Sequence, residues 1–373
     1  MRTFGVEEEL LLIDESTGAP VPVARKVLDE HRAPRSGALP DEQQMTGELQ
    51  QEMIEVCTTP QRELGELAEA IRAGRAFADA TAQTAGARAV PLATSPLLVQ
   101  PHLMPKLRYL QMRRRYGMTT RNSLTCGMHV HVAVKDDSEG VAVLDRIRAW
   151  VPVLLALSAN SPFWQGEDTG HASYRYAAWL RWPTAGPTEL FGTAENYARL
   201  EAEMAATGAL LDSKMIYFDA RLSRSHPTVE VRIADVCLTP EHATLIAALT
   251  RALVETAARE WRAGVPPVPA AAPTLRVASW QAALAGVRGD LVNPLTGRAR
   301  PAADVVAALL EHVAPVLREL GEADEVAALA ADVLDHGTGA ERQRAVFARS
   351  RRLADVVADA IATGCPGPHL LQA

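Results

Sequence analysis

The chain has 373 residues, of which 48% are apolar and 22% charged, a composition that excludes a collagen-like repeat, a coiled-coil rod and an intrinsically disordered chain. Basic residues number 38 against 45 acidic, a formal charge of −7, which is the wrong sign for a protein that neutralises nucleic-acid phosphates. Aromatics at 5% leave little for a base-stacking platform. The length fits two domains, or one large α/β or α+β unit. Cys57, Cys126, Cys237 and Cys365 have no CxxC spacing, so neither a zinc knuckle nor a disulfide framework is expected. No apolar run approaches a membrane span, and the first charged motif starts at Glu7, which leaves no room for a signal peptide. The expectation is a cytoplasmic protein with no membrane or nucleic-acid partner.

The first strand is expected over residues 3–13, stopped by Asp14 and a Ser-Thr-Gly turn. A second covers residues 52–58, ended by Pro60. Residues 62–84 carry apolar spacing near 3.6 and predict a helix. A short strand over 89–93 and a longer one over 127–134 follow, then one long helix over 139–160. The stretch 166–187 reads as an aromatic loop holding Tyr174, Tyr176, Trp179 and Trp182, and loops of that length tend to be functional. Two strands, 215–223 and 228–235, precede a helix over 240–263. The Pro-rich run 264–273 reads as a linker, and the remainder as helices broken at 293–297 and 336–339. Strands early and helices late point to an α+β fold, with a sheet region over 1–263 and a helical region over 274–373 packed on it.

Side chains two apart on a strand share a face. Glu7 and Glu9 therefore project together, as do His129 and His131, and Glu230 and Arg232, while Glu55 sits between Ile54 and Val56. Each pair alone has a bland reading: a solvated strand face, polar filler, a cross-strand ion pair. Four strands carrying such groups together are harder to dismiss, because burying several charges without a counter-ion costs several kcal/mol each. A bound cation is the simplest compensation. A set rich in carboxylates with one or two imidazoles suits Mg2+ or Mn2+ better than zinc. No GxxxxGK[ST], GxGxxG or GxSxG string occurs, so a P-loop, a dinucleotide fold and a serine nucleophile elbow find no support.

The strings Gly5-Val6-Glu7-Glu8-Glu9-Leu10, Met53-Ile54-Glu55-Val56-Cys57-Thr58, Gly127-Met128-His129-Val130-His131-Val132 and Thr228-Val229-Glu230-Val231-Arg232-Ile233-Ala234-Asp235 resemble, in order, the signature blocks of the type 2 glutamate–cysteine ligase family. Ala156–Pro162, Gly166–Gly170 and Ala172–Arg175 are similar to it as well, and the likeness runs from residue 4 to about 320. The resemblance implies a glutamine-synthetase-like fold, a curved and mainly antiparallel sheet with metals and ATP on its concave face. It implies an ATP-dependent carboxylate–amine ligase working through an acyl phosphate, with the γ-carboxylate of glutamate as donor and cysteine or another amine as acceptor. By the same resemblance Glu7, Glu9, Glu55, His129 and Glu230 are expected to hold Mg2+ or Mn2+, and Arg232 to face the transferring phosphoryl group of ATP. His131, Ser173 and Arg175 are expected at the substrate. The partners implied are small amino acids and amines, and a homo-oligomer is expected.

One stretch departs from the family pattern. Where family members carry an Asn-Arg pair and a second arginine, this chain has Ser279 and Leu284. The departure leads to the expectation that cysteine is not the best acceptor, unless Arg276 or Arg288 supplies the lost charge. Two other readings stay open here: a metal-dependent hydrolase using His129 and His131, and a non-catalytic nucleotide-binding relative.

Overall fold

A computed structural model describes residues 1–32 and 43–365. Its strands are β1 (Phe4–Ile13), β2 (Gln43–Gly47), β3 (Met53–Thr58), β4 (Arg88–Val90), β5 (Met128–Ala133), β6 (Phe163–Trp164), β7 (Glu167–Asp168), β8 (Ala220–Leu222), β9 (Thr228–Val231), β10 (Asp290–Asn293) and β11 (Arg298–Pro301). The main sheet runs β2-β3-β1-β5-β9-β8, with β4 also paired to β1, and every pairing in it is antiparallel. β1 is its spine. Its first half alternates in burial, while Leu10 to Ile13 are wholly buried, packed in one core cluster with Ala24, Val27, Leu28, Ala78 and Ala82.

The helices over Leu64–Thr84 and Pro240–Arg262 pack behind the sheet. The second is buried along most of its length. Thr239 starts it by accepting a hydrogen bond from the His242 N–H, with Pro240 in the first turn, where a missing N–H costs nothing. The helices Ala302–Leu320 and Ala323–His336 lie against it, and Ala272–Ala285 lies against Val151–Ser158. No helix among the described residues is long and apolar enough to cross a membrane.

Three expectations about elements are revised. The stretch 139–160 is two helices, Asp137–Ile147 and Val151–Ser158, since Pro152 begins a helix more easily than it continues one. The aromatic stretch 166–187 contains a helix, Tyr174–Trp179, capped by the Ser173 side chain. The break at 293–297 is the turn of the β10–β11 hairpin.

Candidate active site

Strand register assembles the site. Glu9 stands opposite Glu55, and Glu7 opposite Cys57 on one side and His129 on the other. His131 stands opposite Glu230, and Glu230 opposite Arg221 of β8. The period of two thus carries one polar face across five strands, as the shared-face argument predicted. These side chains form the floor of a cavity of ≈ 490 Å³. Glu8, between the two cavity glutamates, points the other way and is held by Arg75 at 2.9 and 2.6 Å, both residues buried.

Glu7 is the hub, with Oε2 3.0 Å from His129 Nδ1 and Oε1 3.2 Å from His131 Nε2. Burial works to raise its pKa, but the two imidazoles prevail and hold the carboxyl well below the usual range. Glu230 accepts from Arg221 at 2.8 and 3.1 Å and from Arg232. Against burial, the charges of Arg232 and Arg221 keep it ionised far below the ordinary value. Burial and the Arg232 charge push His129 down to about 4, which leaves a neutral ring able to donate a lone pair.

The other carboxylates are under strain. Burial and the charge of Glu48 raise Glu9 to about 7. Burial and the charges of Glu48, Glu7 and Glu9 raise Glu55 well above normal, and Glu48 is raised by burial and by Glu7 against the pull of Lys106 and Arg232. Carboxylates that repel one another at the bottom of a cavity are what a divalent cation would relieve. The donor geometry agrees. Ligand atoms of Glu7, Glu55 and His129 lie within 4.8 Å of one another, and so do those of Glu7, His131 and Glu230. The residues present therefore fit Mg2+ or Mn2+ by oxygen-rich chemistry and spacing.

Sequence reasoning missed half of the cavity wall. Glu48 follows β2, an edge strand whose Gln43-Gln44-Met45-Thr46-Gly47 sequence carries almost no apolar alternation. Its neighbour Thr46 donates to Glu55 Oε1 at 3.0 Å. A cationic side is built by Lys106, Arg108, Lys214 and Arg224 together with Arg221 and Arg232, and Tyr109, Trp179, Trp182 and Tyr217 form an aromatic wall. An inward-facing arginine in the strand paired with Glu230 was the one available signal for Arg221.

Ser173 and Arg175 require correction. Neither lines the cavity, and both are buried. Ser173 donates to Asp235 Oδ1 at 2.8 Å and caps the following helix. The Arg175 guanidinium donates to the carbonyls of Ile233 (3.1 Å) and Arg232 (3.3 Å). It lies so close beneath Gly127 that a Cβ there would meet Nη2 at 2.1 Å. Their role is to fix the strand ends that carry Arg232 and His129.

The departure at Ser279 and Leu284 also lies elsewhere. Ser279 is fully buried in the helix Ala272–Ala285, the Leu284 carbonyl accepts from the Ala172 N–H at 3.2 Å, and neither residue lines the cavity. Arg288 is spent on the Leu334 and Asp335 carbonyls, and Arg276 lies beside Gly186. The replacements leave the cavity's charge untouched, so the expectation about cysteine loses its ground. Of the aromatic stretch, Trp179 and Trp182 reach the cavity, while Tyr176 is buried on Asp219 at 3.1 Å.

An antiparallel sheet with an acidic and imidazole floor and cations lining the same cavity is the arrangement that the family resemblance implied. The profile of glutamate–cysteine ligase family 2 (GCS2) matches residues 3–361, and the chain belongs to that family. A Streptomyces avermitilis protein, provisionally named glutamate–cysteine ligase 2-1, is 50% identical over 97% of this chain and 99% of its own. A Streptomyces coelicolor protein, provisionally named glutamate–cysteine ligase 2, is 48% identical over 96% and 98%. Among solved structures, the glutamate–cysteine ligase of Francisella tularensis in complex with AMP superposes with a TM-score of 0.69 at 13% identity, covering 96% of this chain and 87% of its own. The bifunctional glutathione synthetase of Pasteurella multocida gives 0.67 at 14% identity, over 96% of this chain and 53% of its own. At such identities these two speak to the fold alone.

Proposed function

We propose that this cavity joins a carboxylate to an amine at the expense of ATP, with the γ-carboxylate of glutamate as the donor that family membership favours. The observation that carries the reading is the meeting of two charge sets in one cavity, carboxylates and imidazoles of the sheet with Arg221 and Arg232 bonded among them, and Lys106, Arg108, Lys214 and Arg224 also lining it. Phosphoryl transfer asks for positioning and charge neutralisation more than for covalent help from the protein. Lys106 and Lys214 hold the polyphosphate, with Arg108 and Arg224, paired to Asp212 and Glu201, beside them. Arg232, fixed by Glu230 and by the grip of Arg175 on its carbonyl, faces the oxygens of the phosphoryl group in transit.

Glu7, Glu9, Glu55, His129 and Glu230 would hold Mg2+ or Mn2+, which supplies charge neutralisation for the phosphates. The donor carboxylate attacks the γ-phosphorus and releases ADP. The amine lone pair then attacks the acyl carbon, the C–O bond to phosphate breaks, and the surplus proton leaves with the phosphate. Trp179, Trp182 and Tyr217 keep water from the acyl phosphate.

A non-catalytic relative would be favoured by a missing cationic side, and the six cations argue against it. Free amino acids and amines in the cytoplasm are the partners this chemistry needs, and the four free cysteines suit that compartment. The test is ADP release across pairs of carboxylates and amines with Mg2+ or Mn2+. Release that requires both a carboxylate and an amine supports the reading; no amine-dependent release with any pair overturns it.

A further inference from the structure

A second cavity, of ≈ 400 Å³, lies between the segment 99–103 and the helices Leu107–Tyr116 and Met118–Arg121. Its lining among the described residues includes Gln50, Gln100, Arg113, Arg121 and Asn122, and no acidic residue. The absence of acid is a property of the chain here: residues 80–135 contain eight Lys or Arg and no Asp or Glu, in a protein whose net charge is −7. Glu52, which immediately precedes β3, is buried and spent on the His102 backbone N–H at 3.0 Å and on its Nδ1 at 2.6 Å.

The cations are unspent. Among the described residues the guanidinium groups of Arg113 and Arg121 make no hydrogen bond or ion pair, whereas Arg108, on the same helix, is locked to Asp212 at 2.6 and 2.9 Å. Two open guanidinium forks with amide donors beside them match the oxygens of a phosphate better than a point charge would. Gln50 forms the base of the cleft. It is fully buried, and its Nε2 is committed to the carbonyls of Thr120 (2.8 Å) and Ser123 (3.2 Å), which fixes the backbone on either side of Arg121 and Asn122.

We propose that this cleft is a second anion site, separate from the catalytic cavity, that takes a small phosphate-bearing ligand. It is also wired to the first cavity. Gln50 follows Leu49 and is bonded to Ser123, both in the catalytic wall, and Arg113 follows Met112, also in that wall. Occupancy of the cleft therefore changes nucleotide affinity next door.

The experiment is calorimetric titration of inorganic phosphate into the full chain with its catalytic cavity filled by a non-hydrolysable ATP analogue, comparing wild type with the double variant Arg113→Gln/Arg121→Gln. The double variant is expected to bind phosphate about tenfold more weakly, as loss of charge-assisted contacts predicts. Equal affinity in wild type and the double variant, or no binding at all, would overturn the site. Malonate binding more tightly than phosphate would overturn the ligand class. Saturating phosphate should also change the Kd of a non-hydrolysable ATP analogue by about twofold or more in wild type but less in the double variant. An equal change in both would overturn the coupling.

Discussion

Glu9→Gln should stabilise the metal-free protein at alkaline pH, although it removes a residue of the active-site floor. The Glu9 carboxyl titrates at about 7 in the folded chain against 4.5 when unperturbed. With the folded value raised, the stability tied to this group is fully present below pH 4.5. It declines as pH rises through 7 and is absent above it. The difference of about 2.5 pKa units corresponds to about 3 kcal/mol, an upper bound because the carboxylate faces water in the cavity. For a chain of this length a transition entropy of roughly 0.8 kcal/mol per degree converts that into a Tm gain of about 4 °C. Glutamine keeps the acceptor for the Gly127 N–H, which bonds Glu9 Oε2 at 2.5 Å, so the change is close to isosteric. The assay is thermal unfolding in EDTA at pH 8 and pH 4.5, repeated at pH 8 with Mg2+ or Mn2+. The variant should exceed wild type at pH 8 without metal, match it at pH 4.5, and gain less from added metal. A Glu9→Gln protein less stable than wild type in EDTA at pH 8, or a wild-type Tm indifferent to both cations, would refute the argument that repelling carboxylates await a cation.

Glu230→Gln and Arg232→Lys should each lower the ADP-release rate by about 10²-fold with the far-ultraviolet circular dichroism unchanged; near-normal rates in both would remove these residues from the chemistry. Glu8→Gln leaves the buried Arg75 without its carboxylate and should cost about 3–5 kcal/mol in urea unfolding, so a loss below about 1 kcal/mol would show that the pair is not the clamp it resembles. Burial raises Asp219 to about 7, and its folded value lies above the unfolded one. Asp219→Asn should therefore gain stability over wild type as pH rises from about 4 to 7, by up to about 4 kcal/mol. A gain that is constant across that range would contradict the titration.

Much of the site was readable because strand alternation is local. Glu7 and Glu9, His129 and His131, and Glu230 and Arg232 share faces whatever surrounds them, and the apolar residues between them say which face is covered. What locality does not carry is the partner. That Glu8 turns back to Arg75, 67 residues away, and that Arg221 reads Glu230 across a hairpin depend on register and docking. The cationic side comes from a helix, a turn and the segment before β9, none with an alternation that announces it. Ser173 and Arg175 show the converse. Their residue types fit substrate binding, and only the packing of Ser173 against Asp235 and of Arg175 under Gly127 reveals that their donors are spent inside the protein. The sequence by itself determined which side chains share the sheet's polar face, since backbone geometry sets that within a strand. The tertiary structure decided which of them meet in one cavity, which cations stand beside them and which donors remain free, because those contacts join different elements, some of them as far apart as Glu7 and His129, 122 residues along the chain.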